Sequence, residues 1–401
     1  MNILLVSITQ MKDLQGSGIY QNLMREFRNQ GHNVYVVTAF ERRFHLETSL
    51  RQIDGIHILG VKTLNNLRTN ILEKGISLLT LEPLYKRAFK KYVGNVKFDI
   101  ILSSTPPIML TNVVKYVKKR NPNSFTYLLL KDIFPQNAVD LGMFNKKSLL
   151  YRFFRYKEVD LYNTFDYIGC MSPANVKYIL DHNKHINPDK VEVAPNCADI
   201  TRTYREEFSY DDIRIKFGLP LDRPIFIYGG NLGKPQGIAY LMRCMDSIKN
   251  RKDCHFVIVG SGTEYGRLKE WIERSRPENV SLFEYLPKED YDKLVQSCDV
   301  GLIFLDHRFT IPNYPSRLLA YQENKKPVLV ATDPITDIGR IAEENGYGYW
   351  CVSENPKDFT DIVDKMLKSD IKAMGEKGFI YLKNNYLSKH TYDIIMKHAN
   401  S

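Results

Sequence analysis

The stretch IFIYGGNLGKPQG, residues 225–237, sets four glycines, an asparagine, a lysine and a glutamine directly behind an apolar run. Glycine after a buried strand lets the backbone approach a ligand closely, often a phosphate. Neither familiar phosphate loop is written here. In the P-loop spacing Tyr228 stands where the first glycine belongs, and Pro235 follows Gly233-Lys234 where Ser or Thr belongs. The dinucleotide spacing G-x-G-x-x-G fails as well. The residues fit a ligand loop of another kind or a plain strand-to-helix turn. Lys234 either acts on a phosphate as a point charge or is an exposed loop lysine. A second position able to do chemistry is Asp132, just after the apolar run 125–130. Its carboxylate can accept a proton or order a hydroxyl, or cap the following turn. His307 and Arg308, behind the run 300–305, face a ligand or form a solvated loop. Cys170, Cys197, Cys244, Cys254, Cys298 and Cys351 form no C-x-x-C, no His/Cys set has ligand spacing, and no D-x-D cluster stands in a promising place. The expectation is no metal site, no disulfide framework and a reducing compartment.

These positions need a scaffold, and the sequence alternates in a way that supplies one. Apolar runs fall at 3–8, 34–38, 56–61, 100–103, 125–130 and 167–171. They recur at 225–228, 256–259, 280–283, 300–305 and 328–331, with helical patterns between, such as 18–30, 107–120, 238–249, 264–274, 288–298 and 316–323. Strand–helix alternation predicts right-handed βαβ units on parallel sheets. The reading is an α/β chain with two Rossmann-like domains, 1–190 and 191–384, its seam within the polar, turn-rich 185–223. A last helix at 385–401, opened by Ser388 as a cap, is expected to pack back on the first domain. Because ligands bind at the carboxyl ends of parallel strands, a cleft between the domains is expected. A chain of 401 residues, 43% hydrophobic and 25% charged, is ample for two cores. The start MNILLV has no basic leader, and no apolar stretch reaches the length of a membrane span.

The ordered motifs resemble those of the GT-B glycosyltransferases of family four. GSGIYQNLMREFRNQGHNVYVVT is similar to that family's first loop, helix and strand. SSTPP and LLLKDIFPQNAVDLGMF are similar to segments of its capsule and O-antigen branch. VEVAPNCAD, GGNLGKPQGI, VIVGSGTEYGRLK, YLPKEDYDKLVQSCDVGLI and YPSRLLAYQENKKPVLVATD follow in the family's order. The resemblance spans nearly the whole chain, and the nearest branch is the N-acetyl-L-fucosaminyl transferase type. It implies a GT-B fold and transfer of an N-acetylated deoxyhexosamine, such as N-acetyl-L-fucosamine, from a UDP-sugar to a polyprenyl-diphosphate-linked sugar.

The same resemblance assigns roles. Gly230, Asn231 and Gly233 would offer amide donors to the diphosphate, with Lys234 adding charge. The family usually has arginine at Asn231 and lysine at Gln236, so the role of Lys234 is an inference. Ser316 and Arg317 would face the phosphates from a helix start. The family's paired glutamates read Pro312 and Ala320 here, which leaves Glu323 to replace the ribose ligand or ribose to be held elsewhere. The Tyr285-Leu286 turn would read the uracil edge beside Gly260 and Gly262. Gly16, Ser17 and Gly18 would approach the sugar diphosphate. Asp132, read from its place after the run 125–130 rather than from the resemblance, would accept the acceptor's proton or order its hydroxyl. No cofactor or metal is expected. The charge is lopsided: 51–157 holds 19 Lys and Arg against six Asp and Glu, whereas 201–401 is balanced. Such a field, interleaved with Leu, Tyr and Phe at 82–93, 113–120 and 145–157, suits an anionic membrane surface. No nucleic-acid module is present. A cytoplasmic location, peripheral on the inner membrane face, is expected. The alternatives are a UDP-sugar epimerase of the same fold and a non-catalytic nucleotide-sugar-binding protein.

Overall fold

The computed structural model describes residues 1–16, 18–65, 71–200 and 208–399, apart from the side chains of residues 71, 72 and 74. The chain divides into two units, Met1–Asp199 with Leu387–Ser401, and Ile200–Tyr386.

In the first unit the described strands are β1 (Asn2–Val6), β2 (Asn33–Glu41), β3 (Ser49–Ile53), β4 (Ile56–Thr63), β5 (Ile100–Ser104), β6 (Phe125–Leu130), β7 (Tyr167–Cys170) and β8 (Val191–Val193). They form one sheet in the order β3-β4-β2-β1-β5-β6-β7-β8. All neighbours are parallel except β3 and β4, a hairpin turned at Asp54-Gly55. Both turn residues have positive φ, 51° and 76°, as a two-residue Asp-Gly hairpin turn requires. The edge strand SLRQI has no fully buried residue, so no apolar run marks it in the sequence. The central strands are continuous apolar runs because helices cover both faces.

The first unit extends to Asp199 rather than stopping at 190, and two contacts account for this. β8 completes the sheet by pairing with β7, and Arg25 forms a buried ion pair with Asp199. The C-terminal helix Ser388–Met396 lies in this unit too, with Tyr392 against Phe27 (ring centroids 5.0 Å) and its hydroxyl 2.9 Å from His32 Nε2. Ser388 is not the cap that was expected. Leu387 takes the cap position, and the Ser388 hydroxyl donates to the Ala198 carbonyl at 2.9 Å. Residues 201–207 of the expected seam lie outside the described residues.

The second unit contains β9 (Ile225–Gly229), β10 (His255–Val259), β11 (Val280–Phe283), β12 (Val300–Phe304), β13 (Val328–Thr332) and β14 (Gly348–Val352). All pair in parallel in the order β11-β10-β9-β12-β13-β14. This is the doubly wound Rossmann order. Its core joins Phe226, Tyr228, Phe256, Phe304 and Phe359 from the strands and the helix Pro356–Leu367. β14, written GYWCV, has no continuous apolar run to mark it, its two aromatics being half-buried.

Candidate functional site

In an open parallel sheet, ligands settle outside the carboxyl ends of the strands where the order reverses. In the second unit that point lies between β9 and β12. Their ladder is short, with only Val300↔Phe226 and Gly301↔Ile227 paired. Past it a single buried phenol takes over. The Tyr321 hydroxyl lies 3.0 Å from the Ile227 carbonyl and 3.3 Å from that of Leu302, and accepts from the Gly229 N–H at 3.3 Å. Its ring lies on Gly301, where a Cβ would meet it at 2.3 Å. Tyr321 thus satisfies backbone groups that the parting strands leave unpaired, and holds the crevice open. Tyr321→Phe strands those groups, and the unfolding free energy should fall by about 1–3 kcal/mol. Chemical denaturation measures it; an unchanged midpoint would contradict this role.

The glycine loop after β9 forms one wall of this crevice, but its amides are not as bare as expected. The Gly230 N–H donates to Val259 O and the Leu232 N–H to Ser261 O, both at 2.9 Å. The Gly233 N–H is 3.3 Å from Gln236 Oε1, which also accepts from Asn231 Nδ2 at 2.8 Å. The expectation that Gly230 and Gly233 offer free donors is therefore corrected. The glycines serve instead to knit two loops together. A Cβ on Gly260 would lie 1.8 Å from the Gly230 carbonyl oxygen, and one on Gly262 would lie 2.3 Å from that of Leu232. Gly230 itself has φ +133°, which only glycine adopts readily. Gly260→Ala drives a methyl into the Gly230 carbonyl and should destabilise the protein by about 1–3 kcal/mol. A thermal melt reads this, and a wild-type melt would refute the loop contact. Lys234 is exposed and its ammonium has no partner among the described residues.

Arg317 supplies what the amides do not. It opens the helix Arg317–Glu323, and its guanidinium lies 4.4 Å from the Tyr228 ring centroid. Nη2 would be 3.2 Å from a Cβ on Gly230, so the group sits immediately beneath the loop. Nη1 is buried with no hydrogen-bond partner. Burial works against its charge, but Tyr228, Tyr321 and Tyr291 outweigh that and keep it charged. Among the described residues no carboxylate pairs with it. A buried cation with an unused donor calls for an anion from outside the chain. Ser316, just before it at the cap position, is exposed and makes no capping hydrogen bond, which leaves its hydroxyl for the crevice.

Three predicted positions do not join this cluster. Tyr285 is 74% exposed, and with Leu286 it follows the edge strand β11, two strands from β9. Glu323 is the last residue of its helix, about 9 Å along the axis from Arg317.

In the first unit Asp132 follows β6, the neighbour of β5. Thr105 Oγ1 accepts from the N–H groups of Lys131 and Asp132 at 2.9 and 3.1 Å and lies 3.2 Å from the Asp132 carbonyl. Asn137 Nδ2 reaches both carboxylate oxygens, at 2.9 and 3.0 Å. Burial pushes the Asp132 carboxyl up to about 6, against the hydrogen bonds of Ile133 and Asn137. The adjacent Lys131 donates to Ala194 O and Pro195 O at 3.2 and 3.3 Å, and burial lowers its ammonium to about 8. The contacts of Thr105 and Asn137 with Asp132 are not readable from composition; the D-x4-N spacing across a turn is the available signal for Asn137. Gly16 and Gly18 make room for Gln21, whose side chain would lie 2.6 and 2.0 Å from their Cβ positions. The Gly16 carbonyl accepts from Arg25 at 2.7 Å. Ser17 lies outside the described residues.

Comparison with known proteins gives this geometry a context. Residues 19–202 match the family described as Glycosyltransferase Family 4, and residues 209–378 match Glycosyl transferases group 1. The chain is 26% identical over 295 residues to a probable glycosyltransferase, WbjE, of Pseudomonas aeruginosa, covering 72% of this chain and 71% of that one. It is 22% identical over 368 residues to the putative colanic acid biosynthesis glycosyl transferase WcaI of Escherichia coli, covering 86% of each. Among solved structures, sucrose-phosphate synthase from Thermosynechococcus elongatus superposes with a TM-score of 0.76 at 14% identity, over 100% of this chain and 98% of that one. An E. coli trehalose-6-phosphate protein bound with UDP-2-fluoro glucose superposes with a TM-score of 0.74 at 9% identity, over 100% and 99%.

Proposed function

Because the chain is a glycosyltransferase of the GT-B fold, its halves matching family 4 and group 1, we propose that it transfers an N-acetylated deoxyhexosamine from a UDP-sugar to a polyprenyl-diphosphate-linked sugar in capsule or O-antigen assembly. The observation that carries the donor half is Arg317, a cation whose Nη1 is buried and unpaired beneath the loop at the β9–β12 reversal. The donor diphosphate becomes the anion this site lacks. Lys234 and the Ser316 hydroxyl add contacts from the rim. UDP as the carrier is consistent with the UDP-2-fluoro glucose held by the E. coli structural relative. Polysaccharide assembly is consistent with the colanic acid name of the sequence relative.

On this reading the two charged sites divide the chemistry. As the anomeric bond breaks, negative charge gathers on the departing diphosphate, and a preplaced guanidinium stabilises it without reorganising. Asp132 orients the acceptor hydroxyl and takes its proton as the new glycosidic bond forms. Asn137 fixes the carboxylate and Thr105 the backbone that carries it, as a base must be held to be effective. Neither step is assigned a metal. Glu323 is not asked to hold the ribose, since it stands at the far end of its helix.

A panel of UDP-sugars tested against a polyprenyl-diphosphate-linked monosaccharide, read by mass spectrometry, tests the proposal. A mass gain of one N-acetyl-deoxyhexosamine on the lipid acceptor is expected. A product formed only on soluble sugars, or an isomerised UDP-sugar with no acceptor product, would overturn it.

A further inference from the structure

The first unit carries an apolar surface that nothing among its described residues covers. Leu149 is 79% exposed, Met143 69%, Tyr156 68%, Leu150 50% and Phe153 44%. They share the segment 143–157, which holds five Lys and Arg and no Asp or Glu. Ser148 accepts from the Tyr151 N–H and starts the helix Leu149–Thr164, which places Leu149, Leu150 and Phe153 on its first turns. Lys157 stands 5.8 Å from the Phe153 ring centroid. A second exposed pair, Ile76 and Leu79 (54% and 67%), lies on the helix Ile71–Tyr92. The charge of Lys157 reaches Glu82, on the second helix. Burial raises that carboxyl, but hydrogen bonds from Lys86 and Asn112 and the charges of Lys86 and Lys157 draw it below its ordinary value. Leu79 lies one turn before Glu82, and Phe153 one turn before Lys157.

An exposed patch of this kind marks an interaction surface, and its charge selects the partner. Arg155 pairs with Glu158 at 2.7 Å, but Lys146, Lys147 and Arg152 are exposed cations, and cations of this kind set among leucines and aromatics match a layer of phosphate headgroups over acyl chains. A nucleic acid would use the cations and leave Leu149 and Leu150 in water. We propose that this surface seats the protein on an anionic lipid bilayer, with Leu149, Leu150 and Phe153 entering the acyl boundary and Lys146, Lys147, Arg152 and Lys157 lying among the headgroups.

The seat is also joined to the chemistry. Beneath it Phe154 packs edge-on against Phe134 at 4.8 Å and lies 6.3 Å from Phe144. Phe134 is two residues from Asp132. A saccharide anchored in that leaflet would therefore meet the loop that bears the base. This last step rests on the acceptor reading above, whereas bilayer binding does not.

Flotation of the full chain with vesicles tests the surface. Phosphatidylcholine vesicles containing about one third phosphatidylglycerol should bind it at least tenfold better than pure phosphatidylcholine at low salt. The double variant Leu149→Ser/Phe153→Ser, and separately Lys146→Ser/Lys147→Ser, should each lower that binding by about tenfold or more. All four sites are exposed, and unchanged UDP affinity checks that each variant is folded. A Phe153→Trp reporter should be quenched by brominated acyl chains. Wild-type binding by both variants, equal affinity for neutral vesicles, no quenching, or capture by heparin that ignores the Leu149/Phe153 change would each overturn the proposal. Vesicle binding without any sugar transfer would sink the proposed function and leave the bilayer seat standing; transfer without vesicle binding would do the reverse.

Discussion

Asp132→Asn lowers transfer to the acceptor by about 100-fold, the usual contribution of a positioned general base, and leaves UDP affinity where it was. The substitution keeps the shape of the side chain and removes its basicity. Asn137 donates to both carboxylate oxygens, and the variant amide keeps one of these acceptors; Thr105 accepts from the Asp132 N–H, and this backbone anchor is untouched. The pH dependence carries the sign. Burial raises the Asp132 carboxyl to about 6. A base must be ionised, so kcat/KM is full above that pH and falls as the pH drops through about 6. In Asp132→Asn this acidic limb disappears. A rate profile from pH 5 to 8, taken with UDP titrations, decides the matter. Wild-type turnover in the variant, or an acidic limb that survives the change, would show that Asp132 only caps its turn.

Arg317→Met weakens UDP binding by about 10- to 100-fold, the range for losing one or two charge-assisted hydrogen bonds. Stability makes this prediction specific. A cation held in place for the fold would cost stability when removed. Arg317 has no carboxylate partner among the described residues, and its Nη1 is buried and unpaired. Methionine of similar reach removes a desolvated charge and keeps the packing on Tyr228, so the apo protein should be as stable as the wild type or more so. Calorimetry of UDP binding together with denaturant unfolding gives both readouts. Unchanged affinity would remove Arg317 from the site, and a large loss of apo stability would make it a structural cation.

Much of the framework was legible because its strands are buried on both faces. Runs such as IFIYG and FTYLLL are continuous and end in turns, and they appear as strands with bounds shifted by a residue or so. The strands that escaped notice lack that signal. SLRQI is a half-polar edge, VEV is three residues long, and GYWCV mixes small and aromatic residues. The site was legible only in outline. Gly230 and Gly260 announce a close approach, but the partner turns out to be another loop of the same chain, a fact of tertiary contact that spacing does not encode. Arg317 was named from its place at a helix start. What makes it distinctive is the ring of Tyr228, Tyr291 and Tyr321 drawn from three separated segments. Glu323 stands at the last position of the seven-residue helix that Arg317 opens, a separation that the spacing alone does not turn into a role.

The account turns on an anion meeting Arg317 at the crevice between β9 and β12. A crystal of the full chain soaked with UDP tests this directly. The diphosphate should lie within hydrogen-bond distance of the Arg317 guanidinium, with Lys234 and the Ser316 hydroxyl close by. Clear density for UDP at any other place, with Arg317 still unpaired, would contradict it.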